Sequence, residues 1–189
     1  MAATAPSPSI IDPRLPMQEL LKSYPGAQRA LFRQYHIGGC SSCGFRPDET
    51  LEQICARNEQ MKLAEVVAFL ESNREEDRKM MVEPEALRSQ LNTPDRDEIK
   101  LLDIRTREEF EAVHIDGSVH FTQPLMNEIL MKWPRDKGVL VLIDHEGQRS
   151  LDAAAYFFGQ GFTNARALAG GIDGWSERID PELPRYSVE

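Results

Sequence analysis

Two stretches of the chain concentrate residue types that do chemistry. The first is Val139 to Ser150, VLVLIDHEGQRS, where an apolar run gives way to Asp144, His145, Glu146, Gly147, Gln148 and Arg149. Five apolar residues without alternation read as a strand covered on both faces, and Gly147 marks a tight curl before Ser150 opens the next helix. Amides curled over a helix N-terminus form an anion-binding nest, because unsatisfied N–H groups and the helix dipole both favour negative charge. A reactive or anionic atom belongs at its centre. The second stretch is HIGGCSSCGF, His36 to Phe45. Its Cys40 and Cys43 can close a disulfide if the loop bends suitably, and a helix start lowers a thiol pKa towards neutrality.

The Val139–Ser150 stretch is similar to the active-site loop of rhodanese-like domains, which runs from a central strand through a catalytic cysteine and a short loop ending in Arg-Ser into a helix. The resemblance covers about residues 80–189. LLDIRTREEFEAVHIDGSVHF, Leu101 to Phe121, looks like the family's strand, Asp-x-Arg, helix and His-Ile-x-Gly segment. GFTNARALAGGIDGWSERI, Gly161 to Ile179, looks like its closing segment. Several linked motifs in order are far more specific than a lone glycine pattern. The position of the family's cysteine is Asp144 in this sequence, so the departure falls on the residue that carries the chemistry.

Rhodanese chemistry needs a polarizable thiolate that takes sulfur as a persulfide and passes it on. A carboxylate has no sulfur to persulfidate, and its charge repels an anionic donor. Glu146 adds a second carboxylate, leaving Arg149 as the permanent cation of the loop. Three readings of Asp144 stand. In the preferred one the loop is catalytically dead and the carboxylate accepts the loop's own N–H groups. In the second, compatible with it, the loop is a recognition surface. In the third, Asp144 forms an aspartyl intermediate, although no metal set or lysine motif accompanies it. Asp-His-Glu in a row is a poor metal site, because adjacent side chains in a tight loop diverge.

Residues 17–72 resemble the small helical domain associated with hybrid-cluster proteins and described as a redox-disulfide domain; a related segment begins iron–sulfur cluster repair proteins. That resemblance implies a functional role for Cys40 and Cys43, expected to be redox or sulfur sensing in a binding or regulatory protein, with thiol–disulfide exchange or persulfide carriage as the enzymatic alternative. Other readings remain beside it. His36, Cys40, Cys43 and Cys55 make a candidate zinc set of the N/S type, an iron–sulfur cluster is a further option at Cys40 and Cys43, and the two thiols can also be idle. Cys55 shares a helical face with Leu51 and Ile54 and is most simply core.

A length of 189 residues with 41% apolar and 28% charged content suits a soluble globular chain of two small domains. A net charge of −9 argues against a general nucleic-acid or anionic-membrane binder. No apolar run reaches membrane-spanning length and the N-terminus lacks a secretion signal, so a cytoplasmic protein is expected. The expected partner is a protein or a sulfur or redox donor, with no resident cofactor. The oligomeric state stays open.

The expected organisation is a flexible segment 1–16, a helical C-x-x-C domain 17–72, a linker or helix tail 73–79 (NREEDRK, a solvated charge run) and a rhodanese-like domain 80–189. In the first domain a helix opened by Pro25 stops at Gly38-Gly39, and Thr50-Leu-Glu-Gln53 caps another. In the second, strands alternate with helices, which implies a parallel α/β sheet with helices on both faces and ligands at the carboxyl ends of its strands. Asp103 and Arg105 are expected to pair and hold neighbouring loops rather than touch substrate. His114, His120, Trp133 and Trp175 are expected to pack.

Overall fold

The computed structural model describes residues 11–38 and 44–187. They fall into two compact units divided between Arg78 and Lys79.

The first unit is helical: α1 (Met17–Ser23), α2 (Gly26–Tyr35), α3 (Leu51–Ala56) and α4 (Leu63–Lys79). The apolar stripes of these helices meet in one core containing Met17, Leu20, Leu31, Leu51, Ile54 and Leu70. Thr50 caps α3 reciprocally, accepting from the Gln53 amide at 3.2 Å while the Gln53 side chain accepts from the Thr50 amide at 3.0 Å. The segment read as flexible differs from expectation in its described part: Ile11 is 2% exposed and belongs to the core, and the Glu52 N–H donates to the Pro13 carbonyl. The end of α2 also differs. The chain leaves the helix at His36, which takes a left-handed conformation (φ 58°) before the glycines are reached.

Of the two expectations for NREEDRK, the helix tail is what forms, and it is not wholly solvated. Asn73 and Asp77 project four residues apart from α4 and are both buried. Tyr24 explains why. Its hydroxyl donates to Asp77 Oδ2 at 3.0 Å and accepts from Asn73 Nδ2 at 2.7 Å, while Arg29 and Arg33 donate to Asp77 Oδ1 and Asn73 Oδ1 at 2.5 and 2.9 Å. Buried polar groups with partners cost little, whereas the same groups left alone are expensive.

The second unit is the α/β fold expected from strand–helix alternation. In chain order it contains β1 (Met81–Val82), α5 (Pro84–Leu91), a 3-10 turn (Pro94–Glu98), β2 (Ile99–Asp103), α6 (Arg107–Ala112), β3 (Ser118–His120), α7 (Gln123–Lys132), β4 (Val139–Ile143), α8 (Gln148–Gly159), β5 (Ala165–Leu168) and α9 (Gly171–Arg178). The strands are all parallel in the order β1-β5-β4-β2-β3. Central placement accounts for the unbroken apolar run of β4. Val141 and Ile143 face one core with Leu87 of α5 and Ile172 and Trp175 of α9. Leu140 and Leu142 face another with Ile129 of α7 and Leu151, Ala154 and Phe157 of α8.

Tyr24→Phe removes the donor to Asp77 and the acceptor for Asn73, and is expected to destabilise the helical unit by about 1–3 kcal/mol in urea titration. Burial raises the Tyr24 pKa and the Asp77 charge raises it further, against a smaller opposing effect of Asn73. A folded-state pKa above the unfolded one means this contribution is intact below about pH 10 and lost as pH rises through the folded value. Wild type should therefore lose stability on the alkaline side more steeply than Tyr24→Phe.

Candidate functional site

β4 ends at Ile143, so Asp144 leaves the carboxyl edge at the middle of the sheet, where open parallel sheets collect their ligands. Its side chain turns back into its own loop. Oδ1 accepts from the Gly147 N–H at 2.7 Å and Oδ2 from the Arg149 N–H at 2.8 Å, and the residue is 3% exposed. Gly147 caps the following helix in a left-handed conformation (φ 90°). The helix starts at Gln148, two residues earlier than the expected start at Ser150, because a left-handed glycine turns the chain into the helix at once. Ser150 lies in its first turn, fully buried.

The N-terminus of α9 clasps this loop from behind. The Ile172 and Asp173 amides donate to the Asp144 and His145 carbonyls at 2.9 and 3.1 Å. Those amides therefore satisfy loop backbone. The approach is closer than any side chain allows: a Cβ on Gly171 (φ 59°) would lie 2.4 Å from the His145 carbonyl oxygen, and one on Gly147 would lie 2.9 Å from the Gly170 nitrogen.

In front of the loop is an open cleft of about 600 Å³. His145 is half-buried on its wall, while Glu146, Gln148 and Arg149 are exposed around it. The opposite wall comes from the end of β2. Arg105 is buried and its guanidinium spans four partners: Nε to Asp103 Oδ1 at 2.9 Å, Nη2 to Asp103 Oδ2 at 2.6 Å and to the Val113 carbonyl at 2.7 Å, and Nη1 to the Tyr186 hydroxyl at 2.7 Å. Asp103 and Arg105 thus pair, and Arg105 adds to the cleft a second cation beside Arg149. His120 binds the Arg105 carbonyl at 3.0 Å and His114 the Phe110 carbonyl at 2.9 Å. Trp175 is buried in the core.

Two cleft residues carry no sequence signal for a site. Glu109 shows in the sequence only as the closing residue of the capping box at Thr106, a role it fills. Tyr186 lies past the last helix in no motif; its ring packs on His145 with centroids 4.5 Å apart and its hydroxyl donates to Glu109 Oε1 at 2.8 Å. Burial pushes Glu109 towards protonation, but hydrogen bonds from Thr106 and Tyr186 and the charge of Arg105 outweigh it and hold the carboxyl below its ordinary pKa. Burial pushes the Tyr186 phenol up; Arg105 opposes that and Glu109 reinforces it. At neutral pH the pair is a carboxylate and an un-ionised phenol.

Cys40 and Cys43 lie outside the described residues. His36 caps α2, and Cys55 is buried in the helical core, where desolvation raises its thiol pKa. The two flanks of the C-x-x-C segment are held by side chains. Gln28 Nε2 donates to the Gly38 carbonyl at 2.7 Å, and Arg57 donates to the Gly44 carbonyl and to Glu49. A Cβ on Gly44 would lie 2.6 Å from the Gly38 nitrogen, so these glycines pack backbone to backbone. Among the described residues no helix is long and apolar enough to cross a membrane.

A family model described as "Rhodanese-like domain" matches residues 83–178, which carry β2 to β5, the loop after β4 and helices α5 to α9. The chain belongs to the rhodanese-like family. Its relatives include "Adenylyltransferase and sulfurtransferase UBA4" of Lodderomyces elongisporus, 29% identical over 175 residues that make up 87% of this chain and 38% of the relative. "Probable adenylyltransferase/sulfurtransferase MoeZ" of Mycobacterium tuberculosis is 35% identical over 107 residues, 56% of this chain and 26% of the relative. "Thiosulfate sulfurtransferase GlpE" of Pseudomonas savastanoi is 36% identical over 75 residues, 40% of this chain and 70% of the relative. The chain thus spans 38% and 26% of the first two of these relatives. In this rhodanese-like unit the loop after β4 is DHEGQR, Asp144 to Arg149.

The glycine clasp gives a direct test. Gly171→Ala places a Cβ against the Asp144 and His145 carbonyls at a positive φ and should cost about 1–3 kcal/mol in thermal or urea unfolding. Gly159→Ala, where an added Cβ meets nothing within 4 Å at the end of α8, should be neutral or slightly stabilising.

Proposed function

We propose that Asp144 stands where the rhodanese-like family has its catalytic cysteine, and that this unit acts by binding or regulation and not by sulfur transfer. One observation carries the proposal: the three cysteines of the chain are Cys40, Cys43 and Cys55, so residues 79–189 contain no thiol at all. A persulfide cannot form without one. The geometry of Asp144 supports the same view. Two loop amides that would stabilise a thiolate or an incoming anion already serve the carboxylate, at 2.7 and 2.8 Å. That engagement of both oxygens does not suit an aspartyl nucleophile, whose attacking oxygen must be free to reach a substrate.

Whatever thiol chemistry the chain performs then resides in its helical unit. Cys55 is a poor candidate, being buried with a raised pKa. Cys40 and Cys43 remain as the redox-active or sulfur-sensing pair, in the manner of the redox-disulfide domain that this segment resembles. Gly38 and Gly44, the described residues on either side of that segment, are each held through their carbonyls by side chains of the helical unit. A protein partner or a low-molecular-weight sulfur donor is the ligand class proposed for the whole chain. The names of UBA4 and MoeZ as sulfurtransferases accord with a place in sulfur handling.

Purified protein is expected to show no thiosulfate:cyanide sulfur transfer by thiocyanate assay, and turnover above background in wild type would overturn the proposal. Asp144→Cys puts sulfur against the Gly147 and Arg149 amides and should gain measurable turnover where wild type has none. Thiol titration before and after mild oxidation should lose two thiols in wild type and none in Cys40→Ser or Cys43→Ser. Unchanged counts in all three would remove the redox role.

A further inference from the structure

The cleft in front of Asp144 already contains part of its own chain. After α9 the backbone turns back, with the Ser176 hydroxyl donating to the Leu183 carbonyl at 2.5 Å and Leu183 packed on the core. Arg185 then forks onto Asp173, Nε and Nη2 each 2.7 Å from one carboxylate oxygen, with Glu177 at 3.4 Å. Tyr186 follows and enters the cleft, its ring on His145 and its hydroxyl between Arg105 and Glu109.

The two hydroxyl partners are of opposite kind. Arg105 Nη1 only donates and Glu109 Oε1, as a carboxylate, only accepts. An oxyanion at this point would be attracted by Arg105 and repelled by Glu109 at 2.8 Å; an ammonium would meet the reverse. A neutral hydroxyl satisfies both at once, and the half-buried His145 ring beside it, tilted 43° to the Tyr186 ring with centroids 4.5 Å apart, gives an aromatic body a ring contact. The position therefore selects a phenol.

We infer that this is a phenol-selective subsite, bounded by Arg105, Glu109 and His145, and that Tyr186 is its tethered occupant, making the segment after α9 a strap that fills the subsite on the wall of the open cleft. The segment is held at two points, the Arg185–Asp173 fork and the Tyr186 hydroxyl, so its local concentration at the subsite far exceeds that of a free phenol. An outside ligand gains the subsite only by displacing Tyr186, and the group suited to do so is another phenol, such as a tyrosyl side chain. The inference rests on this cleft being a binding cleft, but not on whether the loop transfers sulfur.

Chemical rescue tests it in the full chain. Tyr186→Ala leaves the subsite vacant, and 4-methylphenol is the probe, followed by amide NMR shifts of Glu109 and residues 145–149. The variant should bind it saturably and at least about tenfold more tightly than wild type, as expected for recovering hydrogen bonds to charged groups. Toluene, which has the ring without the hydroxyl, should bind at least about tenfold more weakly than 4-methylphenol. Equal binding of 4-methylphenol to wild type and variant, no binding to the variant, or equal binding of toluene would each overturn the inference. Tyr186→Phe keeps the ring and reads the strap if Tyr186→Ala does not fold. Trypsin should then cut after Arg185 about tenfold faster in Tyr186→Phe than in wild type, with the released fragment identified by mass spectrometry; equal rates would overturn the strap. Sulfur-transfer assays read the loop and 4-methylphenol reads the strap, so failure of one is distinguishable from failure of the other.

Discussion

One carboxylate shared between two backbone amides sets the shape of the central loop. With Asp144 bound to the Gly147 and Arg149 N–H groups, the chain passes from the middle strand of the sheet into α8 through a closed ring of hydrogen bonds. The acceptor at its centre belongs to the protein. An anion from solution would have to displace a covalently attached competitor, and the desolvated carboxylate keeps its place because the amides and the α8 N-terminus complement it. Around that ring the other elements take fixed positions, with α9 donating to its carbonyls from behind and Arg105 forming the facing wall.

Arg105 joins three parts of the second unit. It ties the end of β2, through Asp103, to the Val113 carbonyl after α6 and to the C-terminal segment at Tyr186. A buried guanidinium with so many partners is costly to disturb, since removing one leaves the charge uncompensated. Lysine could not replace it, because the contacts require a planar fork with donors pointing in different directions.

The α/β architecture was legible in the sequence because its signals are local. The run VLVLI announced a strand buried on both faces, Thr106 and Thr50 announced helix starts through their capping boxes, and the order of motifs announced the family. Asp144 was legible as the centre of the loop for the same reason. What escaped was long-range. Tyr186 meets Arg105 and Glu109 across 81 and 77 residues, and nothing near it in sequence marks the meeting. Asn73 and Asp77 looked like solvent-facing members of a charged run because their partner, Tyr24, lies 49 and 53 residues away. The start of α8 was misplaced by two residues because a glycine that reads as loop serves as the helix cap.

The Tyr24 network bears on how the helical unit can be isolated. A fragment cut at Ser72, where hydropathy and charge suggest a border, would discard Asn73 and Asp77 and strand the Tyr24 hydroxyl in an apolar interior beside Arg29. Such a piece would be prone to aggregate through no fault of its core. The shortest fragment that keeps its polar interior whole extends through the last turn of α4 to Arg78, so the natural place to divide the gene lies several codons beyond the apparent border.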